Sequence, residues 1–319
     1  MKVLLIGAGW YGCHAGKILL KHGIPFKIVD ITNGFFNGSS SKNQNRLHLG
    51  FHYPRSYKTR IECLNGYTKF MKTYGEFSSE IQNNYYIIEK SSIVDYQTYC
   101  NIYSYEGYSF DRIDSSGLNN IFEGAIKVNE RFIDFRKAKL YFQSILSEFM
   151  ILDYDKDKLI IDNICISYDG EEFDILIDCT YSTIDDMYYE KCVSLLYEYK
   201  GVNTFAITVM DGNYCSLYPY DIENKLYTLT DVEYTPYGTE EVRDKMEEKA
   251  KCYIDKFDEQ FEYKGFFISQ KAKMNNINSD DRSFVWKHEK NRYWMSGGKI
   301  TGIFEMEDVI LKHIIGNSS

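Results

Sequence analysis

The feature that most narrows what this chain can fold into is Gly7-Ala8-Gly9-Trp10-Tyr11-Gly12, a GxGxxG between a short apolar run and a helical stretch. Residues 2–6 suit a buried parallel strand. Residues 13–22 place Ala15, Ile18 and Leu19 on one side of a helix that Gly23 ends. Residues 26–30 predict a second strand, so the first thirty residues read as one βαβ start. In that setting Gly7 permits the sharp turn, Gly9 lets a pyrophosphate approach the backbone, and Gly12 lets helix and strand pack closely. The helix N-terminus faces the phosphate charge. Asp30 closes the second strand, where an acid accepts hydrogen bonds from an adenosine ribose. The expectation is a bound dinucleotide.

Composition removes other classes. A length of 319 residues allows two domains, and 44% hydrophobic with 26% charged residues suits a globular core. A net charge of −9 lacks the basic face that nucleic-acid binding requires. The eight cysteines include no CxxC pair, which predicts reduced thiols and no metal site. The apolar run after Lys2 is broken by Gly7, Gly9 and Gly12, unlike a secretion signal. No stretch reaches the ~18 apolar residues of a membrane span. A soluble, cytoplasmic protein without a nucleic-acid or membrane partner is expected.

Further along, residues 34–57 are rich in Gly, Ser, Asn and His without periodicity, as functional segments in compact domains often are. Residues 59–74 predict a helix, 80–88 a strand and 92–99 a short element. A helix lies within 128–149 with Asp134 as its N-cap, and 173–179 is an apolar strand. Residues 202–209, 214–218 and 226–231 read as neighbouring antiparallel strands, rich in tyrosine. Residues 239–257 predict a charged amphipathic helix. A strand at 292–295 runs into Ser296-Gly297-Gly298-Lys299-Ile300-Thr301-Gly302 and a last helix. With no repeat and no linker, the domains are expected to interleave.

The motif alone does not choose between FAD and NAD. The stretch Ser39-Ser40-Ser41-Lys42-Asn43-Gln44-Asn45-Arg46-Leu47-His48-Leu49-Gly50-Phe51-His52-Tyr53-Pro54 resembles the D-amino-acid-oxidase-like superfamily of FAD-dependent oxidoreductases. Its nearest pattern is that of L-2-hydroxyglutarate dehydrogenases, with Asn43, His48, Gly50, Tyr53, Pro54, Ser56 and Lys58 at matching positions. Residues 293–304 resemble that superfamily's C-terminal flavin segment. Two departures stand out. Asp178-Cys179-Thr180-Tyr181-Ser182 replaces a glycine-containing turn, and Asp30 replaces the more usual glutamate.

The resemblance implies an α/β, Rossmann-type FAD-binding domain over 1–77, 126–185 and 276–319. An interleaved α+β substrate domain with an antiparallel sheet takes 78–125 and 186–275. It implies non-covalent FAD contacted by Gly7, Gly9, Trp10, Tyr11, Gly12, Asp30, Asn45, Arg46, Leu47, His48, Gly297, Gly298, Lys299, Ile300 and Thr301. For the Trp10 and Tyr11 side chains, packing is the stronger expectation. His52 and His48 are the titratable candidates for chemistry, each with a purely structural alternative. Lys299 is placed to stabilise negative charge on reduced flavin. Arg46 and Arg55 suit a substrate carboxylate or phosphate, with Tyr53 beside them.

The reaction so implied is oxidation of a C–N bond in a small polar amine, amino acid or amino sugar, by hydride transfer to flavin. O2 or another electron acceptor is left open. The alternatives are a 2-hydroxy-acid dehydrogenase and a flavin-binding module without turnover.

Overall fold

The computed structural model describes residues 1–113, 122–162, 165–180, 187–274 and 283–316. The chain forms two compact units, one of Met1–Ser41, Phe135–Tyr188 and Ala272–Ser319, the other of Lys42–Asp134 and Tyr189–Lys271.

The first unit is built on a five-stranded sheet. Strand Val3–Ile6 runs parallel to Phe26–Val29 on one side and to Ile175–Asp178 on the other. Arg292–Gly297 extends the sheet in parallel from Ile175–Asp178, and Phe284–Glu289 closes it antiparallel. Val3, Leu4 and Leu5 are wholly buried, as a strand covered on both faces requires. Helix Trp10–Lys21 buries Cys13, Ala15, Ile18 and Leu19. Trp10 itself packs edge-on against Phe36 and Phe142, the latter on helix Phe135–Leu146. A three-stranded antiparallel sheet of Leu159–Ile161, Ile166–Tyr168 and Glu171–Phe173 and the helix Ile303–Val309 also belong to this unit.

The second unit centres on an eight-stranded sheet. Its middle runs Leu226–Asp231, Cys215–Asp221, Phe205–Met210, Asn83–Glu89 and Phe122–Lys127. The pairings are antiparallel except Phe205–Met210 with Asn83–Glu89, which are parallel. Helix Arg243–Tyr253 buries Met246 and Ala250 in the same core as Leu217 and Leu229. A small sheet joins Arg46–Leu47, Arg131–Ile133 and Ser78–Glu80.

Several elements differ from their sequence reading. The element expected at 92–99 is a helix, Tyr96–Tyr105, capped by Asp95 and buried through Tyr99, Cys100 and Tyr103. The helix expected over 239–257 is split: a regular helix ends at Tyr253, and Lys256 adopts φ +50° before a four-residue turn of helix. Residues 42–77 and 126–134, read from sequence as part of the flavin domain, group with the second unit. The cause is the small sheet, whose three strands pair with one another inside that unit. Tyr181 and Ser182 of the departing turn lie outside the described residues.

Candidate functional site

In the first unit the glycine turn is shaped by what stands where side chains would be. Gly7 has φ +100°, a left-handed conformation that glycine alone adopts without strain. A Cβ on Gly12 would lie 1.7 Å from the Gly7 carbonyl oxygen, so helix and strand meet there backbone to backbone. Gly9 is the N-cap of helix Trp10–Lys21, whose first turn carries no acid and receives no cap from Gly9. The positive end of the helix is therefore offered to an outside anion.

Two side chains brace this turn. Asp30 accepts a hydrogen bond from the Ala8 N–H at 2.7 Å, and its other oxygen accepts from Thr32. The Ser40 hydroxyl accepts from the Trp10 N–H at 3.0 Å and stands 2.5 Å from where a Gly9 Cβ would be. These features fit the pyrophosphate and ribose of a dinucleotide, with spare acceptor capacity on Asp30 for a ribose hydroxyl.

The C-terminal glycine segment belongs to the same unit and is gripped by the turn itself. The Tyr11 hydroxyl donates to the Lys299 carbonyl at 2.9 Å, and its ring stacks on Phe284. Cβ atoms on Gly297 or Gly302 would meet that hydroxyl at 2.1 and 2.2 Å. Tyr11 is thus a wedge between two glycines, and Trp10 is core. Among residues 297–302, Thr301 and Gly302 are buried, while Lys299 begins the short turn Ile300–Gly302.

The second unit contains the other candidates. Arg46 and His48 flank Leu47 and so point to one side of the chain there, and Gln44, before Asn45 at φ +48°, meets the Arg46 guanidinium through its side chain. The Arg46 guanidinium lies 4.2 Å from the Tyr218 ring centroid, with hydrogen bonds to the Thr208 hydroxyl at 2.5 Å and Gln44 Oε1 at 2.8 Å. None of these partners is acidic, and no carboxylate forms an ion pair with Arg46 among the described residues. Asn45 is turned the other way: its amide donates to the Asn43 carbonyl, and it is buried with Leu47. Arg55 is exposed and tied to Asp211 at 2.6 Å, so it is spoken for in a way that Arg46 is not.

His48, His52, Tyr53 and Tyr86 form one aromatic group, with His48 5.9 Å from His52 and 5.8 Å from Tyr53 between ring centroids. The backbone beneath them is pinned. Tyr103 donates to the Gly50 and Phe51 carbonyls, Tyr99 to Phe51, and Arg60 to the carbonyls of Tyr53 and Pro54. Arg60 is in turn paired with Glu106. A loop held by so many buried donors presents its side chains in fixed directions.

One residue of this group was not singled out from the sequence. Glu130 is 1% exposed. One carboxylate oxygen accepts from the Leu49 and Gly50 N–H groups at 2.7 and 3.2 Å; the other accepts from the Tyr86 hydroxyl at 2.7 Å and lies 3.7 Å from His48 Nδ1. Burial pushes the Glu130 carboxyl upward, but His48, the Tyr86 hydroxyl and Arg46 outweigh it and hold it below the usual carboxylate range. Burial and the neighbouring Glu130 charge push the Tyr86 hydroxyl well up. The antiparallel register pairs Arg46 with Phe132 and Leu47 with Arg131, so the next position sets His48 opposite Glu130. No motif marks a lone glutamate more than eighty residues away; only the strand pairing does.

No protein-family model matches the chain. It is 31% identical over 336 residues to FAD-dependent monooxygenase FPY4 of Fusarium mangiferae, covering 97% of this chain and 90% of that one. With FAD-dependent monooxygenase kojA of Aspergillus flavus it shares 26% over 360 residues, covering 95% and 83%. Among solved structures, glycine oxidase from Geobacillus kaustophilus superposes with a TM-score of 0.72 at 10% identity, covering 99% of this chain and 94% of that one. NikD, an unusual amino acid oxidase essential for nikkomycin biosynthesis, gives 0.74 at 10% identity, with the same coverage. Among the described residues no helix is long and apolar enough to cross a membrane.

Proposed function

Because the chain belongs to the FAD-dependent monooxygenases of which FPY4 is one, and shares its fold with glycine oxidase, we propose that it oxidises a C–N bond in a small amine bearing an acidic group. FAD, when bound, supplies the two-electron acceptor. Its pyrophosphate and ribose fall to the turn at Gly7, Gly9 and Gly12 and to Asp30, and Lys299 offsets negative charge on the reduced ring. Arg46 takes the substrate's carboxylate. His48 and His52 handle its proton, with Tyr53 packed between them.

The observation that carries this reading is Arg46. A permanent guanidinium cation, half-buried and hydrogen-bonded only to neutral groups, retains unused donors and a charge that Glu130 offsets only at a distance, without contact. A planar carboxylate satisfies both in a bidentate contact. The bond type is supported by the fold shared with oxidases of amino acids.

Anaerobic mixing with amino acids, amines, amino sugars and 2-hydroxy acids tests the reading. Amino acids should bleach the bound flavin. Arg46→Met should raise the concentration for half-maximal bleaching roughly 10–100-fold, the scale of one charge-assisted contact. Bleaching by 2-hydroxy acids alone would move the assignment to C–O oxidation. Intact FAD that no candidate bleaches would make the protein a flavin-binding module.

The relatives' monooxygenase names favour a second reading, in which oxygen from O2 is delivered to the substrate. Label from 18O2 in the product distinguishes it.

A further inference from the structure

We infer that Glu130 is a positioning residue for His48: it holds the ring proton on Nδ1, so that Nε2 is the base that strips a proton from the substrate's ammonium group. This rests on the amine-oxidising reading above and names a residue that reading did not need.

The argument begins with the burial of a charge. An ionised carboxylate out of water costs several kcal/mol unless its lone pairs are satisfied. Glu130 meets that condition with two backbone N–H groups on one oxygen and the Tyr86 hydroxyl on the other. Three donors from two different elements fix its orientation, and the second oxygen is left facing His48 Nδ1 at 3.7 Å.

That nitrogen is shut off from solvent and has no hydrogen-bond partner at this distance, while the His48 side chain as a whole is 20% exposed. The accessible part of the ring is therefore its other edge, with Nε2. Beside an acceptor-only carboxylate, Nδ1 must be the protonated nitrogen in the neutral ring. The remaining gap is of the kind that closes when substrate binds. His52 and Tyr53 from the loop stand beside the ring, while the Tyr86 hydroxyl and Arg46 act on the same Glu130 carboxylate.

The chemistry needs such a base. Alkylamines are cations at neutral pH, with proton affinities like that of lysine near pH ~10. A hydride leaves the carbon only when the nitrogen lone pair is free to form the C=N bond. In the proposed step one N–H bond breaks, the electron pair stays on the substrate nitrogen, and the proton goes to His48 Nε2. The imidazolium so formed is stabilised by Glu130, which remains ionised throughout. The pinned loop and the buried Glu130 hold this geometry before substrate arrives.

Glu130→Gln is the test, on the FAD-loaded protein with 15N-labelled histidine. The glutamine carbonyl keeps the Leu49 and Gly50 N–H groups, but its NH2 now faces His48 and forces Nδ1 to accept. Wild type should show the Nδ1–H tautomer by 15N NMR above pH 7, and E130Q the Nε2–H tautomer. With an amino acid that bleaches wild type, E130Q should reduce flavin on the order of 10³-fold more slowly and lose the step in rate against pH, at unchanged FAD occupancy. Glu130→Asp should restore part of the rate.

If E130Q does not fold, Tyr86→Phe serves. It removes one of the three donors and should shift the pH step with a loss under about 10-fold. An Nε2–H tautomer in wild type, or an unchanged pH profile in E130Q, would overturn the inference. Failure of every amine to bleach wild type would sink the amine reading alone, because the tautomer is read without turnover.

Discussion

The glycine turn at residues 7–12 and the polar cluster around Glu130 are built by opposite means. In the turn, the candidate site comes from missing atoms: a Cβ on Gly12 would meet the Gly7 carbonyl, one on Gly9 would meet Ser40, and Gly9 has no side chain with which to cap the helix start. In the cluster it comes from an excess of contacts, with Glu130, Tyr86, Arg60, Tyr99 and Tyr103 fixing the loop that carries His48 and His52. A site made of absences is intolerant of any added atom. A site made of contacts fails by degrees, as one donor or acceptor after another is removed.

The largest effect separating the two should come from Gly12→Ala. Its Cβ has only backbone to displace, 1.7 Å away, so the variant should bind no flavin and lose thermal stability even without cofactor. Full flavin absorbance in G12A would show that the turn is not where helix and strand must touch.

Gly9→Ala is the subtler probe, because its first obstacle is a rotatable hydroxyl. Alone it should weaken FAD by about 1–3 kcal/mol, on the order of 10–100-fold. Adding Ser40→Ala should relieve the clash and recover only part of the melting temperature of the flavin-free protein, because the Trp10 N–H loses its acceptor, and should not recover FAD affinity, since the pyrophosphate also needs that space. Recovery of affinity in the double variant would assign the whole cost to Ser40.

The smallest effect is a pH dependence confined to the first unit. His14 is buried against Phe304 with Nε2 3.1 Å from Glu307, and burial holds its imidazole below the usual range despite that carboxylate. The folded state therefore binds fewer protons there than the unfolded chain. This stability is present above the ordinary histidine range near pH ~6.5 and is lost as pH falls from there through the folded value. His14→Gln should flatten the decline of melting temperature between pH 7 and 5. An unchanged slope would place that acid sensitivity elsewhere.

The same contrast governs what could be read from the sequence. Strands Val3–Ile6 and Phe26–Val29 and the intervening helix follow directly from a local pattern, and so do the antiparallel strands from Phe205 to Asp231. The parallel pairing of Phe205–Met210 with Asn83–Glu89 joins segments more than a hundred residues apart, and nothing local specifies it. Helix Tyr96–Tyr105 was hidden by its tyrosines, whose strand preference masks the buried spacing of Tyr99 and Tyr103. At the site, His48 and Arg46 stood in a recognisable stretch, but Glu130, Tyr86 and Tyr218 come from three other strands or strand ends. Their meeting is a fact of sheet register.

The order of strands in the five-stranded sheet has a further consequence, for synthesis. Val3–Ile6 lies between a strand made almost at once, Phe26–Val29, and one that begins only at Ile175. Its outer neighbours, and the Gly297 and Gly302 that clasp Tyr11, emerge some 280 residues or more after Val3. At ~5–20 residues per second, the apolar first strand waits on the order of tens of seconds on the ribosome with one side unpaired. The intervening Lys42–Asp134, by contrast, contains both strands of the Asn83–Glu89 and Phe122–Lys127 pair and can begin to order as it is made. The dinucleotide turn is thus finished only after Ile175–Asp178 and the Gly297–Gly302 segment have been made, long after its own residues emerge.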